Sequence, residues 1–119
     1  MSAFSEPELA YLGDGNGRRL GRLATVGPDG IPHVVPVGYR YDPEDDAIIV
    51  RGYDLKQTKK FRDVERSGRA AIVIDDIASI DPWRVRGVEV RGGAEAIDGD
   101  SPLIRIHPDR VRSWGLGES

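Results

Sequence analysis

The chain has 119 residues, no cysteine and a formal net charge of −3 at neutral pH. This length fits a single domain over residues 1–119, and the lack of cysteine excludes disulfides, thiolate metal sites and cysteine nucleophiles. The net negative charge, with arginines interleaved among acids, does not indicate a nucleic-acid-binding protein. No apolar run approaches the length of a membrane span, and the first residues lack the basic and apolar regions of a secretory signal. We therefore expect a cytoplasmic protein without membrane contact.

The first predicted element is a short helix. Ser5-Glu6-Pro7-Glu8 has the spacing of a capping box with a proline in the first turn, which predicts a helix through Leu12. The glycine-rich stretch Gly13–Gly17 would end it. Because no strand precedes that stretch, we do not interpret it as a nucleotide-binding loop.

The pattern then changes to strands, as fifteen glycines and eight prolines in a short chain would favour. Strands over 22–26 and 31–41 are joined by the turn Gly27-Pro28-Asp29-Gly30, whose proline and glycines suit a tight hairpin. Pro32 and Pro36 cannot donate ladder hydrogen bonds, so parts of the second strand are expected at an edge or a bulge.

Further apolar segments have strand patterns: 47–51, 69–75, 83–97 and 104–106. Within the longest of them, the parity of the apolar positions slips by one at Gly87, which predicts a bulge or a bend there, and Gly92-Gly93 permits another bend. About six short strands joined by tight turns favour a closed or nearly closed barrel.

A helix is predicted to cross over after the third strand. Asp54 is expected to cap it, with Gln57 completing a capping box, and Gly68 is expected to end it. Phe61 and Val64 share its inward face.

Lysines are concentrated at the start of this helix: Lys56, Lys59 and Lys60. A cation there is mildly unfavourable beside the positive end of the helix dipole, and Lys56 and Lys60 repel each other at i,i+4. A bound anion would reverse both effects and would meet free backbone N–H groups. We therefore hypothesise a phosphate site; the alternative is a solvated basic helix.

Few other residues carry chemistry. His33 and His107 have no partner at triad or metal-ligand spacing, and the acidic turn 42–46 lacks the ligand spacing of a calcium loop. No metal site and no catalytic side chain is predicted. A phosphate site without a catalytic apparatus indicates that a cofactor supplies the chemistry.

The order of these elements, with Thr58–Val64, Arg86–Gly92 and Ile104–Pro108, resembles the pyridoxamine-phosphate-oxidase-like split β-barrel superfamily. Within it, the chain is most similar to the small enzymes that use the deazaflavin coenzyme F-420, and their FMN-using relatives follow closely. The resemblance covers nearly the whole chain from about Leu20. It implies a mainly β fold, a six-stranded antiparallel split barrel of the FMN-binding type. It also implies a homodimer with two cofactor sites at the subunit interface.

The resemblance also implies a cofactor site. Lys59 and Lys60 would contact the cofactor phosphate, Val35-Pro36-Val37 would lie beside the ring, and Val50-Arg51-Gly52-Tyr53 would line the phosphate and ribityl side. Trp114 would reach the cofactor from the partner subunit, or would pack on its own barrel. With the lysine pattern, the candidate cofactor-binding residues are Lys56, Lys59, Lys60, Val35, Pro36, Val37, Val50, Arg51, Gly52, Tyr53 and Trp114.

The implied activity is hydride transfer from reduced F-420 to a conjugated small molecule such as a quinone, an enone or a tetrapyrrole. The alternatives are an FMN-dependent oxidoreductase of the same fold, a non-catalytic carrier of a cofactor, haem or tetrapyrrole, and a structural β-domain. Arg51, Arg84 and Arg86 are candidates for steering an anionic acceptor, although surface positions account for them better. The oxidases' C-terminal arginine and histidine motif has no counterpart after Trp114, so vitamin B6 oxidation is not expected.

Overall fold

A computed structural model describes residues 1–13 and 19–117. The predicted glycine-rich turn therefore lies, over 14–17, outside the described residues. The described elements, in chain order, are α1 (Glu6–Gly13), β1 (Gly21–Val26), β2 (Pro32–Asp42), β3 (Ala47–Arg51), a 3-10 turn (Leu55–Gln57), α2 (Lys59–Ser67), β4 (Arg69–Ser79), β5 (Arg84–Ile97), β6 (Leu103–Ile106) and β7 (Arg110–Trp114). In these ranges no helix is both long enough and apolar enough to cross a membrane.

Six strands close into an antiparallel barrel. Their order is β4-β1-β2-β3-β6-β5, and β5 pairs back onto β4 to complete the circle. This confirms the predicted mainly β fold with a six-stranded antiparallel barrel. The segment Arg110–Trp114, which the sequence pattern left as a tail, forms the additional strand β7 and pairs with residues 87–91 of β5.

Strand β5 serves two sides of the barrel. Its residues 84–93 pair with β4, and its residues 94–97 pair with β6. The change of partner falls at the predicted bend, Gly92-Gly93. A Cβ placed on Gly92 would lie 1.8 Å from the carbonyl oxygen of His107, so only glycine fits the close backbone approach at this corner.

Of the bulge or bend predicted at Gly87, the bulge is wrong. The β4–β5 ladder is regular there, and its irregularity lies between Ile77 and Ser79 on β4. The parity slip has another cause: Val85 is exposed, whereas Val88 and Val90 are fully buried. Val85 therefore faces one side of a regular strand and Val88 and Val90 face the other, so the ladder needs no extra residue.

The barrel is filled by aliphatic side chains and is closed on one side by α2. Strand β1 alternates buried and exposed positions, while β3 buries four residues in succession. The largest fully buried side chains are Phe61, Leu23, Ile48, Leu55, Ile72, Ile74, Ile104, Ile106, Val50, Val64, Val88 and Val90. Phe61 and Val64 confirm the predicted inward face of the crossover helix.

The predicted cap at Asp54 is wrong. Asp54 adopts a left-handed conformation (φ 50°) and its side chain makes no capping hydrogen bond. The chain forms the 3-10 turn Leu55–Gln57 first. Thr58 is the cap instead, and its Oγ1 accepts a hydrogen bond from the N–H of Phe61 at 3.3 Å.

Burial of Leu55 explains the interruption before α2. In a continuous helix, Leu55 and Val64 would point about 180° apart, because each residue turns the chain by about 100°. Both side chains are nevertheless 2 % exposed or less, which the break at Thr58 permits. Gly68 ends α2 in the left-handed conformation (φ 68°), as predicted.

Candidate functional site

The start of α2 has two backbone donors that the fold leaves open. Thr58 Oγ1 accepts from the N–H of Phe61, and the N–H of Thr58 bonds to the carbonyl of Leu55 at 3.0 Å. Within the described ranges, the N–H groups of Lys59 and Lys60 have no backbone acceptor. These two groups and the helix dipole together attract an anion.

The three lysines near this point have different partners. Lys56 Nζ lies 2.8 Å from Asp98 Oδ2, and this hydrogen bond raises the pKa of Lys56. Lys59 Nζ lies 3.3 Å from Asp63 Oδ1. Lys60 has no carboxylate within 4.0 Å in the described part of the chain, so its charge is not neutralised locally. The sequence grouped the three as equals, whereas the structure leaves Lys60 with the least engaged charge.

Asp63 ties the helix to the barrel. Its carboxylate is 3 % exposed and accepts a hydrogen bond from Thr25 Oγ1 at 2.9 Å. Burial opposes ionisation, but the hydrogen bonds from Thr25 and Lys59 outweigh it and hold the pKa of Asp63 below its ordinary value. Sequence reasoning missed this anchor, although the i,i+4 spacing of Lys59 and Asp63 was a readable signal.

The predicted ring-side residues lie on β2 and face different ways. Val37 is buried in the core and Val35 is half-buried, whereas Pro36 is exposed on the outer face. A ligand on the outer face of β2 therefore meets the side chain of Pro36, but mostly the backbone of Val35 and Val37.

The predicted phosphate-side residues lie at the end of β3. Val50 is fully buried, so only its backbone is open to a ligand. The next three residues are exposed, and Tyr53 is 94 % exposed. Arg51 pairs with Gly38 of β2 and borders an open groove of about 320 Å³.

Trp114 is the last residue of β7 and lies across β5. It stands opposite Gly87 in the ladder, and a Cβ on Gly87 would lie 2.7 Å from Trp114 Cζ2, so the indole packs directly over the glycine. The residue nevertheless stays 38 % exposed. In the sheet, β6 and β5 separate β7 from β3, so one chain does not place Trp114 on a strand next to Arg51.

A cleft of about 410 Å³ on the outer face was not predicted. Its floor is made of small and apolar side chains, and charged side chains border it. Its position follows from the register, which aligns Ala24 with Ala71 and with Val34, and register is not readable from composition. The lining residues are Ala24, Thr25, Val26, Pro32, Arg69, Ala70, Ala71, Arg91, Gly92, Gly93 and Asp109.

Large apolar side chains remain exposed on this outer face. The most exposed is Val34 of β2, at 66 %. Ile77 and Val85 are direct partners in the β4–β5 ladder, and Trp114 adjoins them through its pairing with Gly87. The apolar side chains of the outer face that the structure leaves partly exposed are Val26, Val34, Ile77, Val85 and Trp114.

A charged cluster, also not predicted, joins α1 to the barrel. The Tyr11 hydroxyl donates to Asp76 Oδ1 at 2.7 Å, and Arg86 donates two hydrogen bonds to the same carboxylate at 2.8 and 3.0 Å. The Arg86 guanidinium lowers the pKa of Asp76 to about 2, against the opposing effect of burial. Burial and the bond to Asp76 raise the pKa of Tyr11 above its ordinary range. Arg86 is therefore engaged with Asp76 instead of standing free for an acceptor.

Residues 1–13 and 19–117 contain no group of three or more His, Cys, Asp or Glu side chains that could hold a metal ion.

The closed antiparallel barrel, with one basic helix crossing over after its third strand, defines a protein of the split β-barrel class. The chain belongs to the pyridoxamine 5'-phosphate oxidase family, whose sequence profile matches residues 15–115.

Two relatives have an activity in their names. The chain is 38 % identical, over 95 % of its length and 84 % of the relative's, to a 5a,11a-dehydrotetracycline/5a,11a-dehydrooxytetracycline reductase from Streptomyces rimosus. It is 30 % identical to an F420H2-dependent biliverdin reductase from Mycobacterium tuberculosis, over 86 % of this chain and 65 % of that one.

A solved structure has the same fold. A conserved hypothetical protein from Mycobacterium tuberculosis superimposes with a TM-score of 0.74 and 24 % identity, covering 97 % of this chain and 87 % of that one.

Proposed function

We propose that this protein is an oxidoreductase that binds a flavin or deazaflavin, with coenzyme F-420 preferred, and transfers a hydride to a conjugated small-molecule acceptor. The observation that carries the proposal is the start of α2, where two open N–H groups lie beside Lys60, a cation without a carboxylate partner among the described residues. Both named relatives are reductases, and one is F420H2-dependent.

The residues present fit the phosphate of such a cofactor. Two backbone donors and an ammonium group satisfy several phosphate oxygens at once. Arg51 is exposed at the end of β3 and has no carboxylate partner in the described ranges, which adds a second cation for the cofactor phosphate. FMN and F-420 share a ring, a ribityl chain and a phosphate, so this fit serves both.

The reduced cofactor supplies the hydride when it is bound. The chain holds the phosphate at the start of α2 and so fixes one end of the molecule. The exposed side chain of Pro36 and the apolar outer face offer a surface against which a flat ring and a flat acceptor exclude water. Orientation of the two reactants is then the main contribution of the protein.

The outer face supports a homodimer as part of this proposal. Its exposed apolar side chains, which include Val34 near the start of β2, form a surface that a second copy would cover. Trp114 lies on a strand removed from β3 within one chain. In the proposed dimer, the partner subunit's Trp114 would complete the site whose phosphate end is Lys60.

The acceptor class follows from the relatives. A dehydrotetracycline and biliverdin are both unsaturated, multi-ring molecules, so we propose a conjugated, multi-ring acceptor for this chain. Stopped-flow mixing of the protein and reduced F-420 with a panel of quinones, enones and linear tetrapyrroles tests this. Oxidation of the cofactor by at least one acceptor, dependent on protein concentration, is the expected result. Tight binding without oxidation by any acceptor would instead indicate a non-catalytic carrier.

Subunit complementation tests the shared site. Lys60→Ala and Trp114→Ala chains are each expected to bind the cofactor weakly. A heterodimer of the two has one site that carries both substitutions and one site that carries neither. Co-purified heterodimers should therefore regain about half of the tight sites, whereas no recovery would show that both residues serve a site within one chain.

A further inference from the structure

Glu8 joins the N-terminal helix to the strand that carries Trp114. The side chain is 9 % exposed, and its two oxygens have different partners. Oε1 accepts the backbone N–H of Ser5 at 2.8 Å, which closes the capping box at the start of α1. Oε2 accepts the hydroxyl of Ser113 at 2.5 Å, and Ser113 directly precedes Trp114 on β7. One buried carboxylate therefore connects a helix cap with the last strand.

Strand β7 needs such a restraint because it is the edge of its sheet. Among the described strands it pairs only with β5, so the ladder holds it from one side. Edge strands are the least constrained members of a sheet. The hydrogen bond that Ser113 donates to Glu8 ties β7 to α1, outside the ladder, and restrains the strand one residue before the indole.

The same helix is also anchored to the strands beneath the indole. Tyr11 donates to Asp76 of β4 at 2.7 Å, and its hydroxyl lies 3.3 Å from the carbonyl oxygen of Arg86. Arg86 directly precedes Gly87, over which Trp114 packs. Helix α1 thus contacts both the strand that carries the indole and the strand on which the indole rests.

We infer that Glu8 is a positioning residue: through Ser113 it fixes the edge strand β7 and holds the indole of Trp114 over Gly87, in the orientation that meets the cofactor. The last clause rests on the proposed function, in which Trp114 contacts the cofactor. The claim that Glu8 restrains the indole of Trp114 does not rest on the proposed function and is measurable without any cofactor.

The two serines that share the carboxylate provide a matched pair of variants. Ser113→Ala removes the bond to β7 and leaves the capping box intact. Ser5→Ala removes the capping hydroxyl, which bonds to the N–H of Glu8 at 3.3 Å, and leaves the bond to β7. Ser113→Thr retains a hydroxyl and serves as the rescue. A Trp83→Phe background makes Trp114 the sole tryptophan, because the chain has two.

The first readout is quenching of Trp114 emission by acrylamide, with thermal melting to verify that each variant is folded. Ser113→Ala should raise the quenching constant about twofold, while Ser5→Ala and Ser113→Thr stay close to the parent. Equal quenching in Ser113→Ala and Ser5→Ala would overturn the proposal. Glu8→Gln is a second variant of unchanged size that loses the charge-assisted bonds, and it should also raise quenching.

The second readout is cofactor affinity. Ser113→Ala should weaken binding of the cofactor about fivefold and Ser5→Ala less than twofold. Raised quenching with unchanged affinity would overturn the link between the indole's orientation and the cofactor. If the parent protein binds neither F-420 nor FMN, the proposed function fails, and the quenching data still decide whether Glu8 holds the indole.

Discussion

Lys59 and Asp63 form an ion pair across one turn of α2, with Nζ 3.3 Å from Oδ1. Because Asp63 is buried and also accepts a bond from Thr25, the pair holds Lys59 toward the barrel. This leaves Lys60 as the lysine at the helix start whose charge is not opposed by a carboxylate in the described ranges. Lys60 is therefore the lysine that we propose for the cofactor phosphate, because Lys56 and Lys59 already have carboxylate partners.

Lys60→Ala should weaken cofactor binding about tenfold, the loss of roughly 1.4 kcal/mol expected when one charged contact to a phosphate is removed. Lys56→Ala is the matched control, since Lys56 already pairs with Asp98 at 2.8 Å, and its effect should stay within about twofold. Fluorescence titration measures both. Equal losses in the two variants would show that the lysines act only through net charge.

Asp63→Asn should lower the free energy of unfolding by about 1–2 kcal/mol, because an amide cannot accept charge-assisted hydrogen bonds from both Thr25 and Lys59. Urea denaturation at pH 7 measures the change. The matched control is Asp29→Asn in the exposed β1–β2 turn, which should have a smaller effect. A change below about 0.3 kcal/mol at Asp63 would mean that this anchor does not contribute to stability.

The Asp76–Arg86 ion pair should make the free energy of unfolding decrease at acidic pH. The pKa of Asp76 is about 2 in the folded chain against an ordinary value of 3.8, so its contribution is present above about pH 4 and is lost as the pH falls toward 2. The side chain of Asp76 is 32 % exposed, and solvent screening therefore reduces its contribution to the free energy of unfolding to about 1–2 kcal/mol.

Asp76→Asn should therefore be less stable at pH 7 and should lose less stability than the parent between pH 4 and pH 2. Asp75→Asn is the matched control, because Asp75 is half exposed and its nearest cation, on Arg22, lies 3.7 Å away. Urea denaturation at several pH values measures both. Parallel pH profiles for parent and Asp76→Asn would contradict the prediction.

Two adjacent glycines should respond very differently to alanine. A Cβ on Gly92 meets the backbone oxygen of His107 at 1.8 Å, whereas a Cβ on Gly93 has its nearest neighbour, the oxygen of Gly68, at 3.9 Å. Gly92→Ala should cost about 3 kcal/mol or more, or prevent folding, and Gly93→Ala should stay within about 1 kcal/mol. Thermal melting of the two variants tests this prediction. Similar melting temperatures would mean that the backbone around Gly92 relaxes easily.

Local patterns predicted those parts of the fold that depend on local chemistry. The capping box at Ser5 and Glu8, the bounds of β3 and the helix stop at Gly68 are all found where the sequence placed them. The predicted cap at Asp54 and the predicted bulge at Gly87 are wrong for a shared reason. At each position two conformations are locally acceptable, and tertiary packing determines which one forms. Near Asp54 the observed conformation buries Leu55, and near Gly87 it leaves Val85 on the outer face.

The candidate site was readable only as a set of residue types. The concentration of lysines was visible in the sequence, but the partners Asp98 and Asp63 that distinguish them depend on the folded chain. The hydrogen bond that Ser113 donates to Glu8 spans 105 positions, which no local pattern reveals. The role of β7 was missed because a five-residue strand has few apolar residues to alternate.

The most direct test of the central claim is a side-by-side fluorescence titration of cofactor-free protein with F-420 and with FMN. We predict saturable binding of both, tighter for F-420, the cofactor on which one of the two named reductase relatives depends. Tighter binding of FMN would assign the protein to the flavin-dependent alternative. Binding of neither would contradict the cofactor site at the start of α2.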